Sequence, residues 1–332
     1  MEPTVRRYLL DQGVDLWLMA RARDVEKKDD RLEAIVLDNG ERLEADALVE
    51  ATGSAGPQGN CRKYGNGCAM CVLRCPSWGG RVSIAARAGV EEMMGHKADG
   101  SIGAMSGSCK LHKDSVDPAI AAELDQTGVA VVPIPKELVH SEKLAIKACQ
   151  QYALPAFAEN LVLLDTGHVK LMTSFYPLDE LRRVPGMENA RYEDPYAGGK
   201  GNSIRYLALS PRDDHLKVVG LTNLFCAGEK AGLLVGHTEA ICTGTLAGHN
   251  AVRQALDQPL VALPRSTAVG EAIAFVREQM QTEEGMTKKY TFSGAVYFDR
   301  MKELGTYTTD EHVISQRVED AGFLDFFAQP VV

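Results

Sequence analysis

Between residues 14 and 49 the apolar positions fall into three short runs of strand character, separated by polar turns. Asp38-Asn39-Gly40 stands between the last two. Asn-Gly supplies the positive backbone angles that a tight type I′ hairpin turn demands, so residues 32–37 and 43–49 are expected to pair. The reading is an antiparallel meander followed by a strand that runs into Ala51-Thr52-Gly53. Farther along, residues 129–135 read as a strand closed by prolines, and residues 118–126 and 142–158 as helices. After Pro259 and Pro264, residues 266–284 carry an amphipathic helical pattern. Residues 285–332 then turn rich in Tyr, Phe and acidic side chains. Phe323, Phe326 and Phe327 are expected to dock on the body of the protein or on a partner, the body being the commoner case.

With 332 residues, 45% of them apolar and 24% charged, the chain can bury one large core or two modest ones. No apolar run approaches the roughly 18 to 20 residues of a membrane-spanning helix, so no membrane partner is expected. A net charge of −9 argues against a broad nucleic-acid surface, because phosphate binding relies on clustered Lys and Arg. The opening residues are polar and lack the pattern of a signal peptide, which makes a cytoplasmic protein the expectation and a secreted disulfide framework the wrong frame for eight cysteines.

Four of those cysteines, Cys61, Cys68, Cys71 and Cys75, crowd into fifteen residues and are followed by Pro76. A C-x2-C-x3-C-P run is how thiolates wrap iron in bacterial ferredoxins, and the six-residue gap before it holds Gly65 and Gly67, which let a backbone fold around a small object. The first reading is an iron-sulfur cluster of the 4Fe-4S type. Zinc uses the same ligand atoms, and reduced cysteine also serves plain packing, so both stay open. Cys109, Cys149, Cys226 and Cys242 are scattered and read as buried thiols.

The segment Ala45-Asp46-Ala47-Leu48-Val49-Glu50-Ala51-Thr52-Gly53 resembles the strand ending in an A-T-G turn that follows a meander in FAD-dependent oxidoreductases with two dinucleotide-binding units. Two further stretches carry a more specific resemblance. They are Val184-Pro185-Gly186-Met187-Glu188-Asn189-Ala190-Arg191-Tyr192, and Leu224-Phe225-Cys226-Ala227-Gly228-Glu229 followed by a glycine-punctuated helix start. Together they are similar to the GidA/MnmG and TrmFO flavoproteins, with their P-G-L-E-N-A segment, their strand ending in A-G-Q and the glycines that open a long helix.

The resemblance implies FAD and, as residues near it, Thr52, Gly53, Gly228, Glu229, Gly232, Gly236 and Glu239. A helix continues through residues 240–255. A helix start with exposed N–H groups and close-approaching glycines suits an anionic pyrophosphate; tight helix packing on the sheet is the plainer account of Gly236, Gly244 and Gly248. Lys230 and His237 flank the glycines and are the candidate acid or base, beside the readings of an exposed loop Lys and a helix-start His. His96, Lys97, His112, Lys113 and His168 are weaker candidates of the same kind.

Glu229 stands where the family has Gln, and Leu233-Leu234-Val235 is one residue longer than the corresponding gap. No G-x-G-x-x-G follows an early strand, although that element normally anchors the ADP half of FAD. The expected fold class is therefore α/β: an incomplete Rossmann-like FAD-binding domain with its meander at 1–76 and 181–257, a cysteine-rich loop at 61–76, an inserted α+β domain at 77–180 and a C-terminal appendage at 258–332. The expected partners are a polypeptide supplying the G-x-G-x-x-G half and an electron-transfer protein. A flavin beside a cluster would exchange electrons one at a time with that protein, which makes a FAD-dependent oxidoreductase the first functional reading. The others are the family's flavin-dependent modification of tRNA uridine and a non-catalytic zinc-binding scaffold.

Overall fold

The computed structural model describes residues 2–18, 20–53, 82–95, 104–105, 109–144, 154–165, 169–171, 176–192, 204–205, 208–286, 288, 290–293 and 295–331. The strands, in chain order, are β1 (Ala22–Lys28), β2 (Arg31–Leu37), β3 (Arg42–Glu44), β4 (Leu48–Glu50), β5 (Met93–Met94), β6 (Ala104–Met105), β7 (Cys109–Leu111), β8 (Val129–Pro133), β9 (Asn160–Asp165), β10 (Val169–Leu171), β11 (Ile204–Arg205), β12 (Ala208–Leu209), β13 (Leu224–Cys226) and β14 (Tyr290–Thr291). The helices are α1 (Glu2–Asp11), α2 (Ile84–Arg87), α3 (Pro118–Thr127), α4 (Pro155–Glu159), α5 (Leu178–Leu181), α6 (His237–Ala255), α7 (Ala268–Gln279), α8 (Glu283–Met286), α9 (Ala295–Glu303) and α10 (Glu311–Asp320).

The meander is the antiparallel sheet β1-β2-β3. Residues 14–17 form no strand, and the first one begins at Ala22. Its Asn-Gly turn differs from expectation. Only Gly40 takes a positive φ, +86°, while Asn39 does not. Gly40 N–H donates to Leu37 O and Leu37 N–H to Glu41 O, both at 2.9 Å. This is a type I turn closed by one left-handed glycine, the geometry of a three-residue hairpin loop rather than a two-residue type I′ loop. The chain then leaves the meander after Glu44, and β4 pairs in parallel with β13, Leu48 opposite Leu224 and Glu50 opposite Cys226. Buried Asn223 sews the two sheets together. Its Oδ1 accepts from Leu32 N at 2.9 Å, and its Nδ2 donates to Leu32 O at 2.9 Å and to Asp46 O at 3.1 Å.

A second unit is the antiparallel sheet β7-β10-β9-β8, packed with α3 around Leu111, Leu124, Leu161, Leu163, Val169 and Leu171. The helix expected over 142–158 is not continuous. A 3-10 turn covers Ser141–Leu144, and α4 starts afresh at Pro155, because a proline lacks the N–H that would continue a helix and holds Leu154 extended at ψ 149°. Val184, Met187, Ala190 and Tyr192 belong to this unit's core. Residues 184–192 thus pack with this sheet, although their motif lies beyond the inserted segment expected to end at residue 180. A third core joins Leu233 and Leu234 to α7, Met286, Tyr290, Tyr297 and Met301. Most of the C-terminal region is thus built into the body, and Phe326 and Phe327 stack on His249 of α6 at ring-centroid distances of 5.3 and 5.1 Å.

Candidate functional site

The two motif strands end side by side. Parallel strands leave their carboxyl ends facing a common crevice, the place where open α/β sheets bind ligands. Here the β4 end leads to Gly53 at φ +70° and the β13 end to Gly228 at φ +63°, left-handed conformations that other residues adopt at a cost. Gly228 N–H donates to Thr243 Oγ1 at 2.8 Å, tying the turn to α6. The N-cap of α6 is Gly236, which brings no capping side chain, while His237 and Thr238 beside it are exposed. An uncapped helix start with its partial positive charge fits an anionic group such as a pyrophosphate. Thr52, intermediate in burial, donates to Glu50 Oε1 at 3.0 Å.

Other candidates are engaged by the protein itself. Gly232 is buried, and a Cβ there would lie 3.0 Å from Val276 Cγ1 and 3.1 Å from Met280 Sδ, so its bareness makes room for α7. A Cβ on Gly236 would collide with the Glu239 carboxylate. Glu239 is itself buried and accepts from Phe292 N–H at 2.6 Å. Together with the Tyr290 N–H to Leu233 O bond of 2.9 Å and the Val235 N–H to Tyr290 O bond of 3.1 Å, this contact clamps the longer 233–235 stretch against the C-terminal region. At Gly244 and Gly248 no described atom comes within 4 Å of a Cβ, so among the described residues neither packs closely on a neighbour. Glu229 is half-buried in the 3-10 turn Gly228–Ala231.

Lys230 is not an exposed loop residue. Its side chain is 1% exposed, donates to Ser83 Oγ at 2.8 Å, pairs with Glu92, and lies 3.7 Å from Glu50 Oε1. Burial pushes its ammonium below the usual lysine range, opposed by the Glu50 charge and hydrogen bond. Glu50 is buried too and accepts from Ile84 N–H at 3.0 Å and Ala85 N–H at 2.9 Å. Sequence reasoning missed Glu50, Ser83 and Glu92. The available signal was a carboxylate inside the apolar strand Leu48–Glu50. His237, by contrast, is exposed at the first turn of α6.

The Pro-Gly-Met-Glu-Asn-Ala stretch does structural work at a distance in sequence. Gly186, at φ +83°, accepts from Asp117 N–H at 2.9 Å, and Arg191 forks onto Asp114 at 2.9 and 2.8 Å. Cys226 is fully buried, and burial pushes its thiol up to about 12. Cys61, Cys68, Cys71 and Cys75 lie outside the described residues, as do His96, Lys97, Cys149 and His168. Among the described residues no three His, Cys, Asp or Glu side chains are grouped to hold a metal, and no helix is long and apolar enough to cross a membrane.

Residues 159–259 match the family described as Glucose inhibited division protein A. Over 112 residues the chain is 31% identical to the methylenetetrahydrofolate--tRNA-(uracil-5-)-methyltransferase TrmFO of Caldicellulosiruptor bescii, a match covering 33% of this chain and 24% of that protein. The protein of the same description from Synechocystis sp. is 31% identical over 130 residues, 39% of this chain and 25% of its own. The chain thus matches about a quarter of the length of these relatives. GidA of Aquifex aeolicus superposes with a TM-score of 0.54 at 15% identity, covering 96% of this chain and 59% of GidA, which shows a shared fold.

Proposed function

We propose that this chain, a relative of the GidA and TrmFO flavoproteins, is the flavin-facing part of a FAD-dependent enzyme that modifies uridine in tRNA with a folate-borne one-carbon unit. One observation carries the reading: the ends of β4 and β13 lie side by side beside the uncapped start of α6, and the family match at residues 159–259 runs through that helix start. Bound there, FAD would supply reducing equivalents. Gly53 and Gly228 would let the backbone approach it, the first turn of α6 would face its anionic group, and the Lys230 cluster would hold the turn after β13 in place. His237, exposed at that helix start, is the side chain free to move a proton at the site's surface.

The test is flavin content after anaerobic purification, followed by transfer of labelled carbon from methylenetetrahydrofolate into tRNA. Flavin-dependent label in uridine supports the reading, and flavin without transfer sinks its substrate. A second reading, electron transfer between flavin and an iron-sulfur cluster, is favoured by the cysteine run that begins eight residues after Gly53. Iron and sulfide at cluster stoichiometry support it, and a protein without iron removes it.

A further inference from the structure

The last segment of the chain lies on the body without entering it. Tyr297 and Met301 of α9 sit in the third core, yet from Lys302 to Val331 no residue is buried. A helix on a protein surface normally sinks one apolar stripe. Helix α10 sinks none, and its Val313 and Ile314 are 43% and 42% exposed. A gap of about 550 Å³ opens between α10 and Ser266, lined on the α10 side by Val313, Gln316 and Arg317. Arg317 spends its guanidinium within the segment itself, donating to Thr306 O at 2.8 Å and Gly305 O at 2.9 Å.

Two places tie this segment to the body. At its start the Tyr307 ring meets Phe298 of α9 edge-on at 4.9 Å, and the Thr306 and Tyr307 N–H groups donate to Met301 O at 2.9 and 3.1 Å. At its far end Phe326 and Phe327 stack on His249, Phe323 backs Phe326 at 4.9 Å, and Gln258 Nε2 donates to Val331 O at 2.9 Å. His249 is the polar member of this aromatic knob, and its Nε2 is buried without a hydrogen-bond partner. A bare lone pair tolerates that setting. An imidazolium N–H there would be a charged donor facing rings. Arg253, one turn on along α6, is positive too, and neither Asp257 beyond it nor Asp325 on the tail pairs with the His249 ring. Attraction of an imidazolium to ring faces is weaker than the loss of water from an unpaired charged donor.

From this arrangement we infer that residues 308–331 form a detachable strap, hinged at Tyr307 and latched by Phe326 and Phe327 on His249, and that protonation of His249 opens the latch. Burial first, and then the Arg253 charge, hold the ring below its usual range while the latch is closed. The closed form therefore favours the neutral ring, so the latch is firmest above about pH 6.5 and weakens as pH falls. Once it opens, α10 is held only from the Tyr307 side. A ten-residue helix with no packed face is marginal in water, so α10 frays together with the tail and the gap at Ser266 opens to solvent. The strap is independent of the flavin reading and stands or falls without it.

The test is hydrogen exchange on the full chain at about pH 8 and about pH 5, with protection factors taken relative to the intrinsic rate at each pH. The expected result is a joint fall of roughly tenfold on acidification at residues 314–321 of the strap helix and 323–329 of the tail, while α7 keeps its protection. His249→Leu should hold both stretches protected at either pH, because its side chain carries no charge. Phe327→Ala should leave both weakly protected at either pH, because the latch is gone without any titration. Protection kept by 314–321 while 323–329 loses it shows that the two do not move as one strap and overturns the inference. So does equal protection at the two pH values in the unaltered protein, or a fall that survives His249→Leu.

Discussion

Replacing Lys230 with Met strands a buried carboxylate. In the folded protein Glu92 has Lys230 and the Ser83 hydroxyl, whose oxygen lies 2.5 Å from Glu92 Oε1. Glu50 keeps Ile84 N–H, Ala85 N–H and Thr52 Oγ1 after the substitution, so the unpaired charge falls mainly on Glu92. Removing one partner of a buried ion pair costs about 3–5 kcal/mol. Glu50's neutral donors place this case at the lower end, about 3 kcal/mol. Since each 1.4 kcal/mol is tenfold in an equilibrium constant, amides opened with this cluster should exchange about a hundredfold faster. Hydrogen exchange followed at residues 84–92 and 224–231 reads this directly. Adding Glu92→Gln removes the stranded charge, and the double variant should regain about 2 kcal/mol, the coupling expected of residues in one buried network. Lys230→Met alone costing under about 1 kcal/mol, or strict additivity of the two changes, would refute the reasoning.

Gly186→Ala should destabilise the inserted unit by more than about 1 kcal/mol, because φ is +83° and the new Cβ would sit 2.6 Å from Ile120 Cδ1; a thermal melt of the variant decides it. Asn223→Leu strips Leu32 of both its backbone partners and should cost about 2–4 kcal/mol, seen as lost exchange protection at β2 and β3 while β8 and β9 keep theirs. Burial and Arg253 hold His249 below its usual value, and its Nε2 is buried without a described partner. With the tail undocked, His249 of α6 takes up a proton more readily, so docking of Phe326 and Phe327 is favoured above about pH 6.5 and weakens as pH falls. Protection factors at residues 323–329, taken relative to the intrinsic exchange rate at each pH, should fall on acidification, and His249→Leu should abolish that fall. With its thiol pushed up to about 12, Cys226 should resist iodoacetamide in the native protein and react only after unfolding, as peptide mapping of the alkylated protein can tell.

Local rules made much of this fold legible. Proline at the first helical position and Asp117 before it mark α3, where Asp117 Oδ1 accepts from Ala119 N–H at 2.8 Å. Alternation with β-branched residues marks β8. What escaped were features set by distant partners. The apolar run at Leu48 and Val49 marks a strand, yet says nothing of a lysine 180 positions later that meets the buried Glu50. The glycines told a similar story. Gly232, Gly236, Gly244 and Gly248 look alike in a string, but one faces α7, one faces a carboxylate and two meet no described atom within 4 Å of a Cβ. Lys230 illustrates the limit most sharply, since its type predicts solvent and its setting is a closed cluster.

These placements also bear on how the site works as a whole. The turn after β13 is held from three directions: by Thr243 of α6, by the Lys230 cluster reaching Ser83 and Glu92, and by the C-terminal strand β14 bonded to Leu233 and Val235. A glycine-rich turn has large conformational freedom, and ordering it costs about 1–2 kcal/mol per residue. Fixing it through a buried network removes that cost before any ligand arrives, which is how preorganisation raises affinity. A ligand binding beside the held turn would meet a wall already ordered, so exchange at residues 226–231 should be slow without ligand and change little when one binds.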